Sequence, residues 1–183
     1  DNELYLNAVN TMYTLEPSAN SAYYLYVLYS GRNEYDKAVK YLEEAIASEE
    51  TDALTDADYY YRLARYCVNA DKTKAYSAAQ KAMELDPSLS GKAYMIMGTI
   101  WGSTVCSGNE IERRAPYWVA VDFLVKARNA DTELAEEANN FIRQYSGYFP
   151  KTADAFMYDI IDGQSYTVSC GGLRATTTVR TQN

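Results

Sequence analysis

The stretch that most constrains this chain is AYSAAQKAMELDP, Ala75 to Pro87. Its small residues Ala75, Ala78, Ala79 and Ala82 recur at i, i+3, i+4 and i+7, with Met83 next to them. That spacing lines them along one narrow face of a helix, and alanine there lets a second helix approach closely. Asp86-Pro87 ends the helix, because proline cannot continue it. The same face occurs upstream as Ala38, Tyr41, Leu42, Ala45 and Ile46, and downstream as Ala120, Phe123, Leu124 and Ala127. Three copies of one face predict a helical repeat, in which each unit buries its apolar side against its neighbours.

The intervening residues read as partners for these helices. SAYYLYVLYSG (21–31) precedes a helix over 35–48 across a very short turn, so the two are expected to lie antiparallel. A helix from Thr55, capped by a Thr55/Asp58 pattern, runs to about Asn69, and Asp71 opens the alanine-faced helix. KAYMIMGTIWG begins a third pair, in which Trp101 stands much further from Ala120 than Tyr29 does from Ala38. The excess is read as an insertion at about 102–115, and such insertions map to loops on one face of a repeat array. Residues 4–16 read as the second helix of a repeat whose first helix is missing. Leu4, Ala8, Val9 and Met12 then form an apolar flank through which a homodimer could join. A further amphipathic helix over 132–147 serves as a cap, and a short helix follows over 152–159.

After Ser165 the period changes from helical to alternating. SYTVSC and LRATTTV flank Gly171-Gly172, a two-residue turn typical of hairpins. Pairing Cys170 with Leu173 sets Tyr166, Val168, Cys170, Leu173, Ala175 and Val179 on one face. Thr167, Ser169, Arg174, Thr176, Thr178 and Arg180 take the other. An isolated hairpin is marginal in water, so the apolar face is expected to rest on the last helices.

These residues resemble the tetratricopeptide repeat family. Leu25, Tyr29, Ala38, Leu42 and Ala45 match its pattern in the first copy. Leu63-Ala64, Ala75, Ala82 and Pro87 match in the second, with Cys67 in the usual tyrosine position. Tyr94, Met97-Gly98, Trp101, Ala120, Leu124 and Ala127 match in the third. Tyr26 departs from the pattern by replacing a small residue, and the third copy is interrupted. The resemblance covers roughly residues 4–130. It implies an all-α solenoid of antiparallel helix hairpins in a right-handed superhelix, to which the residue patterns above add a capping helix and a small C-terminal β-hairpin. The units are 1–17, 18–51, 52–88, 89–130, the cap 131–149, and 150–183. RRAPYWVAVDFLVKA, QYSGYFP, GQSYTVSC and TTTVR also resemble the C-terminal end of exported bacterial tetratricopeptide proteins of unassigned role. That implies an extracytoplasmic location, periplasmic or in the cell envelope.

The resemblance also implies a concave groove lined by the first helix of each hairpin. Its positions here are Tyr23 and Val27, then Tyr61 and Arg65, then Lys92, Met95 and Thr99. Tyrosine and arginine are the side chains of interface hot spots. The basic and asparagine set that clamps a peptide carboxylate in some members does not occur at these positions. A protein or peptide ligand in the groove and a purely structural or assembly role are both open readings.

Chemistry is bounded by what the chain contains. It has no histidine, which removes imidazole bases, histidine-paired nucleophiles and nearly all catalytic zinc sites. Carboxylate pairs such as Glu43-Glu44 and Glu49-Glu50 lie on polar helix faces and junctions, where solvated surface is the ordinary state. Neither phosphate-loop nor calcium-loop spacing is present. The chain is therefore read as non-enzymatic, without metal or cofactor. A net charge of −8 over 183 residues disfavours nucleic acid and anionic membrane surfaces, and no apolar run is long enough to span a bilayer. Nineteen tyrosines, the main compositional oddity, suit half-buried positions between helices.

Three cysteines remain. Cys67 occupies the position equivalent to Tyr29 and Trp101, so a buried free thiol is expected. Cys106, in the Gly/Ser-rich insertion, and Cys170, at the hairpin turn, are the expected disulfide. A Cys67–Cys106 bond and three free thiols are the alternatives. A Cys106–Cys170 bond requires an oxidising compartment, which fits the exported-protein resemblance.

Overall fold

The structure is a computed structural model that describes residues 2–183. Among the described residues there are nine α-helices and one two-stranded antiparallel sheet at the C-terminal end. The first five helices are α1 (Asn2–Leu15), α2 (Ala19–Gly31), α3 (Tyr35–Ala47), α4 (Ala53–Cys67) and α5 (Lys72–Leu85). They are followed by α6 (Ser90–Gly102), α7 (Glu110–Ala130), α8 (Ala135–Ser146) and α9 (Thr152–Met157). Strands β1 (Ser165–Cys170) and β2 (Leu173–Thr178) complete the chain.

Short polar side chains set the helix starts by accepting otherwise unpaired backbone N–H groups. Ser18 and Ser21 form a reciprocal capping box on α2, and Asp71 caps α5. α4 begins earlier than the Thr55/Asp58 pattern predicts. Asp52 is its cap, accepting from the Thr55 N–H at 2.7 Å, and a carboxylate holds that amide better than a threonine hydroxyl can. The insertion expected over 102–115 is only partly a loop. Asn109 and Glu112 form a capping box, so α7 starts at Glu110 and buries Ile111 and Ala115 in its first turns.

α2 packs on α3, α4 on α5, α6 on α7, and α7 on α8, while α3–α4 and α5–α6 contacts join successive pairs. Ala38, Ala45, Ala75, Ala82, Ala120 and Ala127 are all fully buried at these contacts. Gly98 extends the same device: a Cβ there would stand 2.9 Å from Leu124 Cγ, so α6 and α7 meet with no room for a side chain. The equivalent positions Tyr29, Cys67 and Trp101 are buried, and Cys67 is a free thiol. Burial raises the Cys67 thiol above its ordinary pKa, offset in part by the Tyr35 hydroxyl. One core cluster runs from α2 to β2. A smaller one joins Val9 of α1 to Leu25, Tyr29 and Ala38.

The hairpin has the register Cys170↔Leu173 and Val168↔Ala175, turning through Gly171 (φ 61) and Gly172 (φ 75). Glycine adopts two successive left-handed residues without the steric cost a Cβ brings. Val168, Leu173, Thr177 and Val179 are buried, and the hairpin contacts α7. Arg180 does not follow the outward face expected of it. β2 ends at Thr178, the chain turns, and Arg180 reaches Asp122 of α7 at 2.8 Å while its guanidinium lies over Phe149. The Trp118 indole N–H donates to the Arg180 carbonyl at 2.8 Å. Cys106 and Cys170 form a disulfide with Cα atoms 5.7 Å apart, tying the 103–109 loop to the end of β1. No helix among the described residues is long and apolar enough to cross a membrane.

Candidate functional site

The side chains named for the groove lie on α2, α4 and α6, and four of them form two adjoining clusters. Tyr23 of α2 is half-buried, stacked on Tyr59 of α4 at 5.0 Å between ring centroids, with the Arg62 guanidinium 5.5 Å above its ring. Tyr61 of α4 carries the Arg65 guanidinium at 5.8 Å and the Lys92 ammonium of α6 at 5.9 Å. Arg65 and Lys92 are exposed, and Tyr61 is half-buried. Val27 is 45% exposed on α2. Thr99 is half-buried, and its hydroxyl donates to the Ile96 carbonyl, so it offers little to a ligand.

Met95 does not line this surface. It is buried, because α6 is apolar on most sides and is flanked by α4, α5 and α7. The i, i+3, i+7 series Lys92, Met95 and Thr99 therefore leaves the surface after its first residue.

Three residues outside the expected groove set shape the concavity. Tyr26, Arg62, Arg65 and Tyr66 line a cleft of about 300 Å³ between α2 and α4. Tyr26 meets Tyr66 edge-on at 5.8 Å. Burial raises the phenols of Tyr26, Tyr59 and Tyr66 above their ordinary values, so these rings stay neutral hydrogen-bonding walls. Arg62 donates to Asp58 at 2.6 Å, which strengthens its proton affinity and holds its guanidinium over Tyr23. The sequence signal for this cleft was Tyr26, a large ring at a position where the family resemblance implies a small residue. Arg62 gave no such signal, since its i, i+4 spacing from Asp58 reads as a solvated ion pair.

Two other concavities adjoin the C-terminal hairpin. A cleft of about 380 Å³ between α7 and β2 is bordered by Asp122, Lys126 and Arg180, and the Asp122–Arg180 ion pair holds the hairpin to α7. One of about 210 Å³ lies beside the disulfide and Tyr166. No group of three or more His, Cys, Asp or Glu residues is placed to hold a metal ion among the described residues. Compared with known proteins, the chain matches no family model and no curated sequence.

Proposed function

We propose that the chain is a tetratricopeptide-like array of helix hairpins whose α2–α4–α6 face binds a protein or peptide segment, without catalysis. The observation that carries this reading is the strip of half-buried tyrosines and exposed cations running from Tyr23 and Arg62 to Tyr61, Arg65 and Lys92. Rigid rings held by helices contribute contact area at low cost in side-chain entropy, and arginine adds directional hydrogen bonds.

The repeat reading is supported by the small-residue face that recurs in α3, α5 and α7 and is fully buried in each. Tyr13 of α1 hydrogen-bonds Glu44 of α3, and Lys74 of α5 pairs with Glu43 of α3, so side chains of an earlier and a later helix both reach α3. The Cys106–Cys170 disulfide favours an extracytoplasmic, oxidising location.

A second reading, assembly through α1, has its own observation. Val9 faces the core, but Leu4, Met12 and Leu15 are 72%, 44% and 79% exposed, an apolar strip along α1. Photo-crosslinking residues at Val27, Lys92 and Met12, introduced singly in the producing cell, separate the two. Capture of a distinct polypeptide from Val27 and Lys92 supports the binding face. Crosslinks only from Met12, to a second copy, would overturn it in favour of assembly.

A further inference from the structure

We infer that the chain reversal after α9 is a second docking surface, which takes a protein partner presenting an apolar pocket bordered by lysine and arginine. It lies outside the α2–α4–α6 face and does not depend on the reading given to that face. The starting observation is a cluster of apolar side chains in water. Phe156, Met157 and Ile161 are 81%, 79% and 71% exposed, and Tyr158 between them is exposed as well. Single exposed apolar residues such as Leu54 or Val105 are ordinary. Four within the six residues from Phe156 to Ile161 make a patch of the kind that interaction sites present. Side chains exposed to this degree protrude, so the surface that complements them is a pocket.

These side chains stand on a closed backbone. α9 ends in a Schellman motif, in which the Ile160 N–H donates to the Ala155 carbonyl and the Asp159 N–H to the Phe156 carbonyl, with Asp159 left-handed at φ 55. Ala155 and Ile160 pack on the core, which leaves the residues between them outside. A second turn follows at once. The Gln164 N–H donates to the Ile161 carbonyl, and Gly163, at φ 86, donates its N–H to the Val179 carbonyl at 2.9 Å. The patch is therefore preorganised, and a partner need not order it on binding.

Charge limits what can cover it. From Thr152 to Leu173 the chain has three carboxylates, Asp154, Asp159 and Asp162, and no Lys or Arg. None of the three is in an ion pair among the described residues. Asp162 is held in place by the Thr181 N–H and hydroxyl, at 2.8 and 3.1 Å. The apolar patch is thus flanked by negative charge, and a partner gains by placing cations at the rim of its pocket. A second copy fits poorly. Two such patches would set aspartates against aspartates, and the apolar strip of α1 brings Glu3, with no Lys or Arg before Arg32. An anionic lipid surface is repelled in the same way.

The test uses the full chain in the cell that makes it, with the photo-crosslinker benzoylphenylalanine in place of Phe156. Adducts are identified by mass spectrometry down to the crosslinked peptide. The expected adduct is with a different protein, at an apolar segment bordered by Lys or Arg. Once purified, that protein should bind the parent chain and lose roughly tenfold in affinity to Asp154→Asn/Asp159→Asn, which removes two exposed charges. Asparagine tolerates the left-handed conformation at 159, so the patch keeps its shape in that variant. Phe156→Ser/Ile161→Ser should cost at least roughly a hundredfold, with melting unchanged because both side chains lie in solvent. An adduct with phospholipid, together with binding of the parent but not the serine variant to phosphatidylcholine vesicles, would overturn the protein assignment in favour of a membrane surface. An adduct with a second copy would overturn it in favour of self-assembly. No adduct, or a partner whose affinity neither variant changes, would overturn the docking surface itself.

Discussion

Replacing Gly98 by alanine sets two opposing effects against each other at the close crossing of α6 and α7. Alanine in a helix interior is favoured over glycine by about 1 kcal/mol. The new methyl would lie 2.9 Å from Leu124 Cγ, 3.1 Å from Leu124 Cδ2 and 3.2 Å from the Ala120 carbonyl oxygen. Carbon atoms prefer about 3.5–4.0 Å, so Leu124 must move by more than half an ångström. It cannot swing into solvent, because Leu124 and Ala120 are both fully buried. Overpacking of a tight core costs about 1–3 kcal/mol, so the net effect is a loss of up to about 2 kcal/mol. Gly31→Ala is the control, since a Cβ there meets nothing within 4 Å and φ is not left-handed; it should gain about 0.4–1 kcal/mol. Urea unfolding followed by far-ultraviolet circular dichroism reads both, provided the m-values agree. Adding Leu124→Ala should make Gly98→Ala less harmful, with a coupling above about 0.5 kcal/mol. If Gly98→Ala stabilises as much as Gly31→Ala, or if the cycle is additive, the close α6–α7 contact is wrong.

Two further outcomes are expected. Cys106→Ser/Cys170→Ser should lower stability by about 4 kcal/mol on the chain-entropy account for a separation of 64 residues. Calorimetry measures the loss, and a drop below about 1 kcal/mol would mean that the Trp118 and Arg180 contacts hold the hairpin unaided. Stability should also fall on the alkaline side. The hydrogen bond to Glu44, with burial second, lifts Tyr13 to about 12, and burial raises Tyr35, Tyr76 and Tyr145. Above pH 10 or so the unfolded chain releases phenolic protons that the folded chain retains. The contribution of Tyr13 is thus intact below about pH 10 and lost as pH rises toward about 12. Urea midpoints at rising pH, read with tyrosinate absorbance, check this; constant midpoints through that range would refute it.

What was legible in the sequence follows from the range of the interactions involved. The small-residue faces at Ala38, Ala75 and Ala120, the Asp71 cap and the Gly171-Gly172 turn are local, and each lies in the element its pattern predicts. α7's early start was hidden because Asn109 and Glu112 sit at the edge of a Gly/Ser-rich run that reads as loop. Arg180 reads as polar surface until β2 ends and Asp122, far back in the chain, becomes its partner. The candidate site was half legible. Helix offsets identify Tyr61 and Arg65 as neighbours, but the Tyr26–Tyr66 wall forms between helices whose contact no local pattern encodes. Met95 shows the converse failure, since periodicity assigns a face without telling how many neighbours cover it.

The two ends of the fold are held very differently, and this gives its breathing motions a direction. α1 buries only Val9 among its described side chains, so its release exposes little apolar surface. At the other end, the disulfide, the Trp118–Arg180 hydrogen bond and the pairing of Gln182 with the Pro150 and Phe149 carbonyls must be disrupted before the hairpin leaves α7. Opening free energies therefore climb along the chain, and amide exchange should spread from α1 inward as a moving front rather than from both ends. A protease would cut first within α1 and stall near the covalent clasp. The α4–α6 surface, in the middle of that gradient, keeps its shape while the amino-terminal helix frays.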